Sequence, residues 1–221
     1  TRTKISRSWS ANACTVFTRL GIRSARRWYW FTTSDQADLV ASSVDWISLY
    51  PQPVSAALNA AIAGKPALVW IETPSNPLLR IVDIAAVAAC ARAVGAMVVA
   101  DNTFLSPVWQ QPLALGADLV IHSTTKYLNG HSDVVGGAVI AATAELHEQV
   151  RWWGNCIGVT GAPFDSFLTL RGLRTLHARM RAHGENAQRI AELLTRHPAV
   201  ACVYYPGLAS HPGHDIAQRQ Q

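Results

Sequence analysis

A chain of 221 residues, 49% hydrophobic and 15% charged, is long enough for one large buried core, or for one domain plus part of another, and too apolar for a disordered or coiled-coil chain. No apolar run reaches the roughly 18 to 20 residues of a membrane span and the start lacks the apolar core of a secretory signal, so a cytoplasmic protein is expected. The net charge is +5, and Cys14, Cys90, Cys156 and Cys202 are too scattered for a zinc site or a disulfide framework; reduced thiols are expected, three of them on core faces.

Residues 1–34 hold seven basic residues and no acidic one, and Trp9, Trp28, Trp30 and Trp46 also fall early. Hydrophobic periodicity is poor before Pro51 and clean after it. Residues 1–50 are therefore expected to be a basic, Trp-rich segment outside the fold, such as a shifted reading frame would produce. An arm contacting RNA or a membrane is the weaker reading, because no helical face or strand alternation offers a surface. Nucleic acid and membrane are not expected as partners.

From residue 51 the elements alternate. Residues 67–72 form an apolar run closed by Thr73-Pro74-Ser75-Asn76-Pro77, which predicts a buried strand and a proline-fixed loop. Residues 81–94 predict a helix with Ile84, Val87, Ala88, Ala91 and Val94 on one face and Gly95 as its stop. Strands are predicted over 96–100, 119–121 and 134–140, and a helix over 143–153. A long helix is predicted from Pro163 to about His197, with Phe164, Phe167, Leu168, Leu170, Leu173 and Leu176 as its apolar stripe and Gly172 and Gly184 as points where it could bend or break. Residues 200–205 predict a last strand. This alternation is an α/β layer pattern.

In open α/β sheets, ligands bind beyond the carboxyl ends of strands, where Asp101-Asn102-Thr103 and Ser123-Thr124-Thr125-Lys126 both fall. A lysine amine able to condense with an aldehyde, hydroxyls to hold a phosphate and a carboxylate to pair with a pyridine nitrogen describe a pyridoxal phosphate site. Each piece alone reads more readily as a surface charge, a turn or a cap. Their coincidence at the strand ends of one sheet reverses that balance. Gly136-Gly137 reads as a place of close backbone approach rather than a phosphate cradle. His211-Pro212-Gly213-His214 lacks a third metal ligand nearby and reads as a surface loop.

The motifs Glu72-Thr73-Pro74-Ser75-Asn76-Pro77, Asp101-Asn102-Thr103-Phe104, the run from His122-Ser123-Thr124-Thr125-Lys126-Tyr127 to Ser132-Asp133, and Val134-Val135-Gly136-Gly137 resemble the cysteine and methionine metabolism family of pyridoxal-phosphate enzymes, from about Ala67 onward. The resemblance implies the large domain of the type I aminotransferase class, a mostly parallel mixed sheet with helices on both faces, here incomplete. It implies pyridoxal 5'-phosphate as cofactor, with Lys126 as the lysine bound to it, Asp101 on the pyridine nitrogen, Ser123 and Thr125 on the phosphate and Asn76 on the phenolic oxygen. It further implies small amino-acid substrates and a homotetramer. Upstream phosphate-binding and ring-stacking groups of the family are not evident in residues 1–50.

The branch most resembled joins cysteine to an O-acylhomoserine by γ-replacement; lyase and sulfhydrylase branches share the central motifs, and a catalytically inactive fragment is the alternative from another class. The expected organisation is an unassigned segment over 1–50, a partial coenzyme-binding domain over 51–198 and the start of a truncated C-terminal domain over 199–221.

Overall fold

The computed structural model describes residues 62–221 and the backbone of residues 28–31 and 44–46. Expectations about the rest of the basic segment, and about Cys14, lie outside the described residues. The sheet contains β1 (Trp28–Phe31), β2 (Val44–Trp46), β3 (Leu68–Glu72), β4 (Met97–Asp101), β5 (Leu119–Ser123) and β6 (Gly137–Ala141), in the order β2-β1-β3-β4-β5-β6. All neighbours are parallel except β5 and β6. Two strands ahead of residue 51 thus pair into the same sheet.

The central strands read as unbroken apolar runs because both faces of the sheet are covered. Val69 and Ile71 join Val98 and Ala100 against Ile84, Val87, Ala88 and Ala91 of α1 (Ile84–Ala93). Leu68 and Trp70 join Val99 and Leu119 on the other face, against Leu146 and Val150 of α3 (Ala144–Ile157). This is the α/β fold that the alternation predicts. Side chains alternate along a strand, so Glu72, Asp101 and Ser123 continue the second face to its carboxyl edge.

Helix α1 starts three residues later than its apolar pattern, because the Asp83 side chain caps it by accepting the Ala86 N–H at 2.9 Å. A short helix, α2 (Ser106–Trp109), follows β4. Thr143 caps α3, and Gly158, at φ +71°, ends it four residues beyond the predicted stop.

The long helix predicted over 163–197 is two helices, α4 (Pro163–Leu173) and α5 (Leu176–Thr195), broken at Arg174 and Thr175 beside Gly172. Its predicted stripe is not core: Phe164, Phe167, Leu170 and Leu173 are exposed, and Leu176 alone of the six is buried. Residues 200–205 form no strand and pair with none among the described residues. The chain instead closes with α6 (His214–Gln220), which packs back on α1, where Gln220 Oε1 accepts the Ile84 N–H at 3.2 Å and Arg219 pairs with Asp83 at 3.1 Å. His211, expected in a surface loop, is buried, its ring Nδ1 accepting the Gly213 N–H at 3.0 Å. Cys156 and Cys202 are exposed and Cys90 is half-buried, so the expected core placement of three thiols does not hold. Among the described residues no helix is long and apolar enough to cross a membrane.

Candidate active site at the strand ends

Glu72 and Asp101 stand side by side in the β3–β4 register, and Asp101 is paired with Ile121, two residues before the end of β5. The Asp101 carboxylate accepts the Thr103 N–H at 3.0 Å and also bonds the Thr103 hydroxyl. That hydroxyl oxygen in turn accepts the Ser123 N–H at 2.8 Å, so one threonine joins the aspartate to the start of the lysine-bearing turn. Thr103 was read only as part of a strand-end step; its bridging role depends on the β4–β5 pairing, which no local pattern reveals.

Burial dominates the electrostatics. It pushes the Asp101 carboxyl above the ordinary carboxylate range against the two Thr103 hydrogen bonds. Burial, then the neighbouring Asp101 charge, pushes Glu72 up to about 7, although the Asn76 backbone N–H pulls it the other way. His122, buried behind the same edge, is pushed down to about 4 by burial and is neutral at pH 7.

Buried amides fix the aspartate turn. Asn102 donates to the carbonyls of Ser106 at 3.1 Å and Gln110 at 2.8 Å, and its Oδ1 accepts from Gln110 Nε2 at 2.9 Å. Gln110 Nε2 also donates to the Thr73 carbonyl at 2.8 Å, which ties the loop after β3 to the turn after β4. Sequence reasoning missed Gln110; its signal was Ser106-Pro107, a proline-led helix start that carries it inward. Asn76 is exposed in the loop so held, where the peptide bonds before Pro74 and Pro77 are cis.

After β5 the chain turns through Thr124 to Gly130, with the Asn129 N–H donating to the Thr124 carbonyl at 3.0 Å and the Gly130 N–H to the Lys126 carbonyl at 2.8 Å. Lys126 is exposed on this turn; Ser123 and Thr125 are half-buried. Gly136 packs against it from the strand side: the Thr124 N–H donates to the Gly136 carbonyl at 2.9 Å, and the Gly136 N–H to Thr125 Oγ1 at 3.0 Å. A Cβ on Gly136 would lie 2.8 Å from Thr124 Oγ1, so close approach, as expected for the glycine pair, is what that glycine permits. Asp101, Ser123, Thr125 and Lys126 share one sheet edge, and Asn76 stands in the loop leaving the strand beside it.

The sequence pattern of the Cys/Met metabolism PLP-dependent enzyme family matches residues 32–221. The chain belongs to this family. It is 60% identical over 165 residues to a cystathionine gamma-synthase of Escherichia coli (strain K12), a match covering 75% of this chain and 43% of that protein. It is 54% identical over 163 residues to a cystathionine gamma-lyase of Dictyostelium discoideum, covering 74% of this chain and 42% of the relative. The crystal structure of a cystathionine gamma synthase from Xanthomonas oryzae pv. oryzae in complex with aminoacrylate and cysteine superposes with a TM-score of 0.86 at 51% identity, over 96% of this chain and 56% of that one. The chain spans about half the length of the relatives it matches.

The coenzyme of the family is pyridoxal 5'-phosphate, and the donor set at the sheet edge fits it. Asp101 is a largely buried carboxylate that pairs with no cation among the described residues, its bonds coming from Thr103 alone. A protonated ring nitrogen is the partner such a group lacks.

Proposed function

We propose that this chain is the coenzyme-bearing part of an enzyme that joins cysteine to an O-acylhomoserine by γ-replacement. The observation that carries the reading is the Thr103 bridge, which ties the Asp101 carboxylate to the Ser123 end of the lysine turn at one sheet edge. The reading of replacement starts from the 60% identity to the Escherichia coli synthase, and the product assay below separates it from the lyase branch, which the Dictyostelium relative represents at 54%.

Pyridoxal phosphate at this edge supplies an electron sink for a carbanion at the substrate α-carbon. Asp101 keeps a proton on the ring nitrogen, and burial strengthens that pairing by excluding water. Ser123 and Thr125 donate their hydroxyls to the phosphate. The Thr125 hydroxyl lies 3.4 Å from the Gly136 carbonyl, a long bond that an anion readily takes over. Asn76 donates its side-chain amide to the phenolic oxygen. Lys126 would hold the coenzyme aldehyde, and its freed amine would carry the proton taken from the α-carbon and then the one taken from the β-carbon. With the β-carbon proton removed, the acyl group would leave Cγ as a carboxylate; the cysteine sulfur would then bond that carbon, its thiol proton going to water and the two carbon protons being returned.

The chain has three lysines, Lys4, Lys65 and Lys126, which makes attachment easy to map. Purified protein supplied with pyridoxal phosphate, reduced with borohydride and digested is expected to carry the label on Lys126, with the visible absorbance band absent from Lys126→Ala. Equal labelling of all three lysines would overturn the coenzyme reading. Supplied with O-acylhomoserine and cysteine, the loaded protein is expected to form cystathionine; consumption of cystathionine without its formation would assign the lyase branch instead.

A further inference from the structure

We propose that Arg179 is a positioning residue for Lys126, clamping the lysine-bearing turn from helix α5; the inference rests on the reading of Lys126 as the coenzyme lysine. The turn closes its own hydrogen bonds at Thr124 and Lys126, whose carbonyls accept the Asn129 and Gly130 N–H groups. The Tyr127 carbonyl lies at the end of this helical turn, where no later amide reaches back to it. Arg179 fills that vacancy. Its Nη1 donates to the Tyr127 carbonyl at 2.8 Å, its Nη2 to the Gly172 carbonyl at 2.7 Å and its Nε to Thr175 Oγ1 at 3.0 Å.

One planar guanidinium therefore bridges the turn one residue past Lys126 and the junction between α4 and α5. The geometry suits arginine, whose donors form a rigid planar fork on three nitrogens, whereas a lysine ammonium carries its donors on one nitrogen. Two glycines make room for it. A Cβ on Gly130, which sits at φ +79°, would collide with the Arg179 guanidinium, and a Cβ on Gly172 would overlap the Asn129 carbonyl. Behind the clamp, Leu128 of the turn is buried with Leu176 and Met180 of α5. The guanidinium bonds to carbonyls and a hydroxyl of the scaffold, so its effect on Lys126 runs through the backbone.

The test uses the full chain and two readouts. Deuterium exchange in Arg179→Met is expected to rise roughly tenfold at the Asn129 and Gly130 amides, as follows from losing the charge-assisted hydrogen bond to the Tyr127 carbonyl, while exchange within the sheet stays as in the parent. In the same variant the borohydride-fixed pyridoxal phosphate label on Lys126 is expected to fall at least about threefold relative to Lys65, as a turn released by that margin predicts. Unchanged exchange at the two amides overturns the proposal, and so does an unchanged label ratio in a variant that melts like the parent. If the parent itself takes no label on Lys126, the coenzyme reading fails by itself, and the amide exchange still decides whether Arg179 holds the turn. Should Arg179→Met not fold, Arg179→Lys is measured in the same way: it keeps the charge but lacks the three separate nitrogens that reach the Tyr127 carbonyl, the Gly172 carbonyl and the Thr175 hydroxyl together, so parental exchange and labelling in it overturn the clamp.

Discussion

Asp101 and Lys126 leave neighbouring parallel strands at the same edge, yet the turn after β4 is held by buried side-chain amides and the turn after β5 by backbones that meet at glycines. Around Asp101, Asn102 and Gln110 exchange hydrogen bonds with each other and with the Ser106, Gln110 and Thr73 carbonyls, and Gln220 Nε2 from α6 reaches Gln110 Oε1 at 3.2 Å. Around Lys126, Gly136 presses on Thr124 from just before β6 and Gly172 presses on Asn129 from α4. An amide network tolerates no loss of a partner, whereas a close backbone approach tolerates no gain of an atom. The aspartate turn should therefore fail by deletion and the lysine turn, outside its Arg179 clamp, by addition.

The largest effect is expected from addition at Gly172. The new methyl of Gly172→Ala would overlap the Asn129 carbonyl, a backbone group that cannot rotate aside. We expect a loss of about 3 kcal/mol or more, measured by urea denaturation, at the upper end of what overpacking costs. Gly136→Ala sharpens the point, since its Cβ would meet the Thr124 side chain, which can shift. A Gly172→Ala protein as stable as the parent would break the comparison on its lysine side.

Deletion on the other side comes next. Asn102 is 1% exposed, and Asn102→Ala removes three hydrogen bonds while leaving the Ser106 and Gln110 carbonyls without that donor. The expected cost is about 2 to 3 kcal/mol in the same denaturation experiment. Exchange should speed up at the Ser106 and Gln110 amides and stay slow at Asn129. Loosening of both turns together would show that the edge behaves as one unit rather than two.

The placement of Asp101, Ser123 and Lys126 was legible in the sequence because β3, β4 and β5 are covered on both faces: each reads as an apolar run, and the polarity change at its end marks the edge. What was not legible depends on partners distant in the chain. Gly172 alone does not stop a helix; the break at Arg174 and Thr175 accompanies a close approach to Asn129, more than forty residues earlier. The stripe from Phe164 to Leu173 shows that a face is apolar, which is a different fact from what covers it, and within the described residues it is exposed. The apolar run over 200–205 has strand-forming residues but no strand beside it among the described residues. No local pattern sets Arg179 apart from the other arginines of its helix, and only the fold brings it to the Tyr127 carbonyl.

Glu72 belongs to the same class, since it was read as the last residue of a strand and acquires its character from the register that sets it beside Asp101. Burial and that neighbour raise its carboxyl to about 7, so folding favours the protonated form. The stability this contributes is full below the ordinary carboxylate value near 4.5 and is lost as pH rises through about 7. His122 works in the opposite direction: burial lowers it to about 4 from 6.5, and the stability of its neutral form, present above 6.5, is lost as pH falls towards 4. The two slopes oppose each other across mildly acidic pH and partly cancel in the parent. Glu72→Gln removes one of them. With the partial exposure of Glu72 discounted, the variant should gain about 1 to 2 kcal/mol over the parent at pH 8 and little at pH 5, because the Glu72 slope is gone while that of His122 remains. Urea midpoints of both proteins at pH 5 and pH 8 read this directly. The same pair of measurements on Gly136→Ala should show a gap independent of pH, because nothing ionisable meets that glycine. A gap between Glu72→Gln and parent that is equal at both values would mean that no charge develops beside Asp101, and the electrostatic half of the contrast between the two turns would be lost.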